Sequence, residues 1–169
     1  MGKKTCSDQT APGFTPSLSG RRRMIKLLGL SLTMPLVACN QTIRKEVWLN
    51  VEMFSYVDRP IHAIFFNGTH LGVMNSYGST GTITSVRIPF GNQTLRWTLG
   101  GPEGQARNGE QVQIKNTLVI LPGQITPETR YLGLHLYPDD TAEITLSPSI
   151  PDLTERGEKI LAAARKQDA

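Results

Sequence analysis

The chain has 169 residues, 38% of them hydrophobic and 19% charged, a balance ordinary for one globular domain with a tail. Its formal charge of +4 belongs to the N-terminal part: residues 1–38 hold six bases (Lys3, Lys4, Arg21, Arg22, Arg23 and Lys26) against Asp8 alone, leaving 12 bases and 13 acids for the remaining 131 residues. The body lacks the positive surplus a phosphate-binding surface uses, so nucleic acid is not expected as a partner. Two cysteines support neither a disulfide framework nor a four-cysteine zinc site.

Residues 20–39 place a cationic stretch before an apolar one, Leu27 to Ala38, and then Cys39. Twelve residues make a helix of about 18 Å, short of a hydrocarbon core about 30 Å thick, and Pro35 weakens it further. A cleavable export signal fits better than a membrane span. Leu36-Val37-Ala38-Cys39 resembles the lipobox of bacterial lipoproteins, in which the cysteine thiol is acylated and becomes the first mature residue. Arg21-Arg22-Arg23-Met24-Ile25-Lys26 resembles a twin-arginine motif, and it reads equally as a plain cationic leader starting at Met24. Asn40, where similar lipoproteins use aspartate for inner-membrane retention, points to the outer membrane and its periplasmic face. The expected organisation is a leader over 1–38, a lipidated tether over 39–45, a β domain over 46–147, and a C-terminal helix and tail over 148–169.

Short alternating runs broken by Gly, Pro and Asn fill the chain from Lys45 to Leu146 and predict an all-β domain. Val47, Leu49, Val51 and Met53 share one face of a first strand. Ile61 to Phe66 is almost wholly apolar, as in a strand covered on both sides. Asn67-Gly68 follows as a hairpin signal, because a type I′ turn needs positive φ at both central residues, and Thr69 to Met74 returns. Thr82 to Ile88 is a further strand. Leu95, Trp97 and Leu99 alternate with polar neighbours, and Gly100 to Gly109 is a glycine-rich loop. Val112, Ile114, Leu118 and Ile120 keep one parity, with a possible break at Asn116. Leu132, Leu134 and Leu136 form an inward row, Pro138-Asp139-Asp140 supplies turn chemistry, and Ala142, Ile144 and Leu146 close the set. Seven or eight short antiparallel strands predict a β-sandwich, with an open barrel as the competing arrangement. Beyond Pro151, Asp152-Leu-Thr-Glu155 resembles a capping box for a helix carrying Leu153, Ile160, Leu161 and Ala164 on one face; Gly157 inside it costs about 1 kcal/mol.

Chemistry-bearing constellations are sparse. His62, His70 and His135 make no metal-ligand spacing, and no metal or cofactor is expected. His135 is expected half-exposed on a strand, stacked on cross-strand aromatics. Tyr77-Gly78-Ser79-Thr80-Gly81 misses the nucleophile spacing of an α/β hydrolase and lacks the following helix. Asp139 and Asp140 sit in a turn that favours Asp for its backbone hydrogen bonds, so a general acid/base role is disfavoured. No catalytic residue is assigned. The candidates for contact with a protein partner are loop residues: Asn67, Gly68, Glu103, Arg107, Asp139 and Asp140.

Asn50–Val51, Asp58–Arg59–Pro60–Ile61, Phe65–Phe66–Asn67–Gly68, Tyr77–Gly78, Leu95–Arg96–Trp97, Leu121–Pro122 and Tyr131 to Pro138–Asp139 together resemble a family of small proteobacterial lipoproteins. Its members carry a domain of uncharacterised function and are often encoded beside type VI secretion effectors, lipases among them. Thr84-Ser85 stand near the place of a Cys-Cys pair common in that family. The resemblance implies a non-enzymatic immunity lipoprotein, anchored through acylated Cys39, that neutralises a cognate secreted effector such as a phospholipase. The alternative is a structural lipoprotein of the secretion apparatus or cell envelope.

Overall fold

The computed structural model describes residues 45–167. The leader, Cys39 and the tether to residue 44 lie outside the described residues. The described chain forms β1 (Glu46–Ser55), β2 (Ile61–Phe66), β3 (Thr69–Met74), β4 (Ile83–Pro89), β5 (Gly91–Gln93), β6 (Leu95–Leu99), β7 (Gln111–Gln113), β8 (Leu118–Ile120), β9 (Tyr131–Leu136), β10 (Ala142–Ser147) and α1 (Glu155–Gln167).

The strands build a sandwich. One sheet runs β10-β9-β1-β4, the other β3-β2-β6-β7, and β5 pairs with β8 in a small separate ladder. The inward rows expected from alternation meet in one core: Leu49, Val51 and Met53 of β1, Ile88 of β4 and Leu132, Leu134 and Leu136 of β9 pack with Ile61, Ile64 and Phe66 of β2 and Leu95, Trp97 and Leu99 of β6. There are ten strands where seven or eight were expected. The stretch around Asn116 accounts for part of the excess, splitting one expected strand into β7 and β8. The Asn116 amide bonds both backbone groups of Ala142 (Nδ2 to its carbonyl at 2.8 Å, Oδ1 from its N–H at 2.9 Å) and so serves as a ladder partner itself.

β1 and β9 run parallel, in register from Asn50↔Tyr131 to Ser55↔Leu136, whereas antiparallel strands were expected. This pairing positions the site described below. Because both strands end on the same side, the connection after β1 and the turn after β9 emerge side by side.

β2 corrects another expectation. Its apolar run is not covered on both sides, since His62 is exposed while Ile61, Ile64 and Phe66 are buried. Ala63 adopts φ 49°, and the pairing with both β3 and β6 breaks between residues 61 and 65. The bulge shifts the parity, so three residues at uneven spacing all point inward. The Asn67-Gly68 hairpin takes the expected I′ geometry, with φ 50° and 80°.

The outer face of the first sheet is covered where β1 and β9 end. Phe54, Tyr56 and Tyr137 are buried there against Ile160 and Leu161 of α1. The helix starts two residues later than Asp152 would place it: Thr154 is the capping residue, its Oγ1 accepting from the Gly157 N–H at 3.0 Å. Gly157 is needed because a Cβ there would overlap the Tyr56 ring. Leu153 stays 40% exposed and does not join the packed face. Beneath this cover His135 is fully buried (0% exposed), not half-exposed, and it stacks on Phe54 with centroids 4.8 Å apart, as cross-strand aromatic pairing anticipates. Its Nδ1 meets Tyr56 Oη at 3.0 Å and its Nε2 meets Thr145 Oγ1 at 3.1 Å. Burial drives its pKa down to about 4, against a smaller upward pull from Glu143. Tyr137 Oη bonds Glu143 at 2.9 Å and Thr154 Oγ1 at 2.7 Å, tying the β9–β10 seam to the helix cap.

Candidate functional site

Four connections converge at the end of the sandwich where β1 and β9 stop. The β1–β2 connection brings Val57, Asp58 and Arg59; the β3–β4 connection brings Tyr77; the β6–β7 loop brings Arg107; and the β9–β10 turn brings Tyr137, Pro138 and Asp140. With Trp97 and Leu99 of β6 they enclose a cleft of about 270 Å³.

Local chemistry fixes each wall. In the β9–β10 turn the Asp140 N–H donates to the Tyr137 carbonyl at 3.2 Å, and Asp140 takes φ 65°, completing a type I turn with a left-handed residue after it. Asp tolerates that region better than most residues, and here its carboxylate receives Arg107 Nη2 at 3.1 Å and Lys115 Nζ at 2.9 Å. Arg107 also holds Glu110 through two bonds of 2.8 and 2.9 Å. Burial pushes the Asp140 carboxyl up, but the Lys115 and Arg107 hydrogen bonds outweigh it and hold it below the usual carboxylate range. The hydrogen bonds that Arg107 donates to Glu110 and then to Asp140 push its guanidinium above its ordinary value. On the opposite side Arg59 donates from Nε to Asp58 at 3.1 Å and from Nη1 to the Ala106 carbonyl at 2.6 Å, tying the glycine-rich loop to the β1–β2 connection.

Tyr77 stands at φ 47°, an unusual conformation for a bulky residue. It is held by its N–H to the Val57 carbonyl (3.0 Å), while the Ser55 N–H reaches the Gly78 carbonyl (2.7 Å). Three of the six non-glycine residues at positive φ among the described residues (Tyr77, Arg107 and Asp140) line this one cleft. Such conformations cost about 1–3 kcal/mol each and persist where surrounding structure enforces them, which singles out this end of the molecule.

The contact candidates read from the sequence separate into four groups. Arg107 and Asp140 come together as the ion pair on the cleft wall. Asp139 points instead to α1, accepting from Arg156 Nη2 at 2.8 Å and from Thr141 Oγ1 at 2.6 Å. Glu103 is exposed on the glycine-rich loop and makes no ion pair among the described residues. Asn67 and Gly68 lie at the far end of β2 from Ile61, which pairs with Leu99 beside the cleft. The Asn67 amide is spent internally, on Gln93 Oε1 (2.7 Å) and the Thr94 N–H (2.9 Å), so its side chain braces a turn. Sequence reasoning missed Arg59, Tyr77 and Trp97 as site residues. Trp97 reads from alternation as core, which it also is. The available signal at Tyr77 is an aromatic residue placed directly in a glycine-marked turn.

The lining offers hydrogen-bond donors and paired charges, with no Ser, Cys or His in the cleft wall. Among the described residues no group of three His, Cys, Asp or Glu side chains is arranged to hold a metal ion. The arrangement can recognise a polar group and orient it. Family models, curated proteins and solved structures yield no significant match to this chain.

Proposed function

We propose that this protein is a lipid-anchored binding module facing the periplasm, an immunity protein that neutralises a secreted effector by engaging it with the cleft end of the sandwich. The observation that carries the binding role is the convergence there of four connections, cross-tied by Arg107–Asp140 and by Arg59 to Ala106. Loops held in place by charge-assisted bonds lose little freedom when a partner docks, which favours affinity. The export leader and the lipobox-like Leu36-Val37-Ala38-Cys39 support the anchor, and the family resemblance supports the effector. Acylation by two or more chains holds stably where one is marginal, and confinement at the membrane raises the local concentration against an effector acting there.

The test is co-purification with the product of the adjacent gene. The protein should retain that product and protect cells from it. Arg59→Ala and Tyr77→Ala should each weaken retention at least about tenfold, the range of an interface anchor, while Trp48→Ala on the outer face of β1 leaves it unchanged. Cys39→Ser should release the protein from the membrane fraction and reduce protection. Failure to retain the product rejects the immunity role, and loss of secretion on gene deletion without loss of protection assigns a structural part of the apparatus instead.

A further inference from the structure

The end of the sandwich where β1 starts, opposite the cleft, carries an open groove of about 490 Å³ lined by residues 45–48, 125–127, 129 and 130. It exists because β1 and β9 pair only from Asn50↔Tyr131 onward, so the first residues of β1 have β4 on one side and no strand on the other. Trp48 stands on this lining and is 61% exposed. Leu121, 54% exposed, belongs to the same end: it follows Ile120, whose partner Gly91 adjoins Phe90, and the Phe90 N–H bonds the Lys45 carbonyl at 3.0 Å. Two cations share the groove with the indole. Lys45 makes no ion pair among the described residues. Arg130 donates Nη1 to the neutral carbonyls of Pro127 (2.6 Å) and Thr129 (3.3 Å), which leave its charge uncompensated. Glu46 is occupied by Arg87 at 2.5 Å, and exposed Glu128 lies off the lining. The Thr126 N–H donates to Thr129 Oγ1 at 3.0 Å and braces the far wall.

We propose that this end of the sandwich rests on a phospholipid surface, with Trp48 seated among the headgroups and Lys45 and Arg130 against lipid phosphates. The inference rests on the acylated anchor proposed above and names the face that the domain turns toward it. Chain length selects the occupant. Six peptide steps join Cys39 to Lys45, at most about 22 Å of extended chain, so an acylated Cys39 keeps the start of β1 within that distance of the bilayer. The cleft lies at the other end of β1, and the seven steps from Trp48 to Ser55 alone span about 23 Å. A tether of this length therefore delivers the groove end to the lipid first. The chemistry of that end agrees. Tryptophan has an apolar body and one polar N–H, the combination that favours the boundary between acyl chains and water. Cations without protein counterions gain most from anionic headgroups, and each adds to the hold of the buried apolar surface. Docked in this way, the domain points its cleft away from the membrane, open to a protein arriving from the periplasm.

The protein isolated from the membranes of its host is reconstituted into vesicles of phosphatidylethanolamine and phosphatidylglycerol, and its intact mass reports whether Cys39 is acylated. The chain has two tryptophans, and Trp97 is 1% exposed in the core, so changes in accessibility report Trp48. Trp48 emission should shift to the blue, lose most of its quenching by aqueous acrylamide, and become strongly quenched by phosphatidylcholine brominated in the upper acyl chain. Trp48→Phe should abolish the bromolipid response. Lys45→Gln and Arg130→Gln should each lower the ratio of docked to undocked protein about fivefold, less at high salt. Acylated protein whose Trp48 stays open to acrylamide overturns this inference and leaves the anchor standing. Shielding from acrylamide without bromolipid quenching assigns the face to a second protein and overturns it too. An unacylated mass overturns the anchor and this inference together.

Discussion

Replacing Gly157 with Ala should destabilise the protein by about 3 kcal/mol, although the same change in an isolated helix stabilises it by about 1 kcal/mol. The sign reverses because the methyl group would occupy the Tyr56 ring, which is itself held by Tyr137 stacking at 5.1 Å and by the bond to His135 Nδ1. Neither partner can step aside cheaply: Tyr56 is on a buried sheet face, and α1 is fixed by its Thr154 cap. Urea unfolding of the single variant checks the sign. The cycle with Tyr56→Ala checks the cause, since removing the ring should make the added methyl nearly neutral or favourable. A stabilised Gly157→Ala protein would mean that α1 does not seat on Tyr56.

Acidification provides the second large effect. In the unfolded chain His135 takes up a proton near pH 6.5, whereas in the folded protein burial delays this to about pH 4. Between those values the unfolded state binds more protons, so stability is complete above pH 6.5 and falls as the pH drops through the window, by about 3 kcal/mol in all. Asp139 and Asp140 are held below the ordinary carboxylate range, burial raising each but hydrogen bonds lowering them further, so their contributions are lost only at lower pH. Unfolding curves from pH 7 to 4 should show the decline, and His135→Gln should flatten it. An unchanged pH profile in that variant would place the acid sensitivity elsewhere.

These two effects come from the least legible part of the fold. Alternation shows which residues share a face, and it correctly assigned the inner rows of β1, β6 and β9. It cannot show what lies over the other face, so His135 read as half-exposed when Pro151 to Gly157 and α1 cover it. Nor does parity name neighbours: the parallel β1–β9 pairing has no local signature, yet it alone brings Asp58–Arg59 beside Pro138–Asp140. The bulge at Ala63 defeated the period-two reading of β2 for the same reason, since a single residue at positive φ rephases everything after it. Turn chemistry fared better, because Asn67-Gly68 and Pro138-Asp139-Asp140 state their backbone geometry directly. Of the candidate contacts, Arg107 and Asp140 reached the cleft. Asn67 did not, since the polarity that made it look like a recognition residue is consumed by Gln93 and Thr94.

The cleft end of the sandwich is the claim on which the binding account depends. Hydrogen exchange of the protein, alone and bound to the product of the adjacent gene, addresses it most directly. Protection on binding should concentrate in residues 57–59, 76–78, 100–110 and 137–141, with the Asn67-Gly68 hairpin and the Trp48 end of β1 unaffected. Protection centred on that hairpin or on α1, with those four segments exchanging as in the free protein, would contradict it.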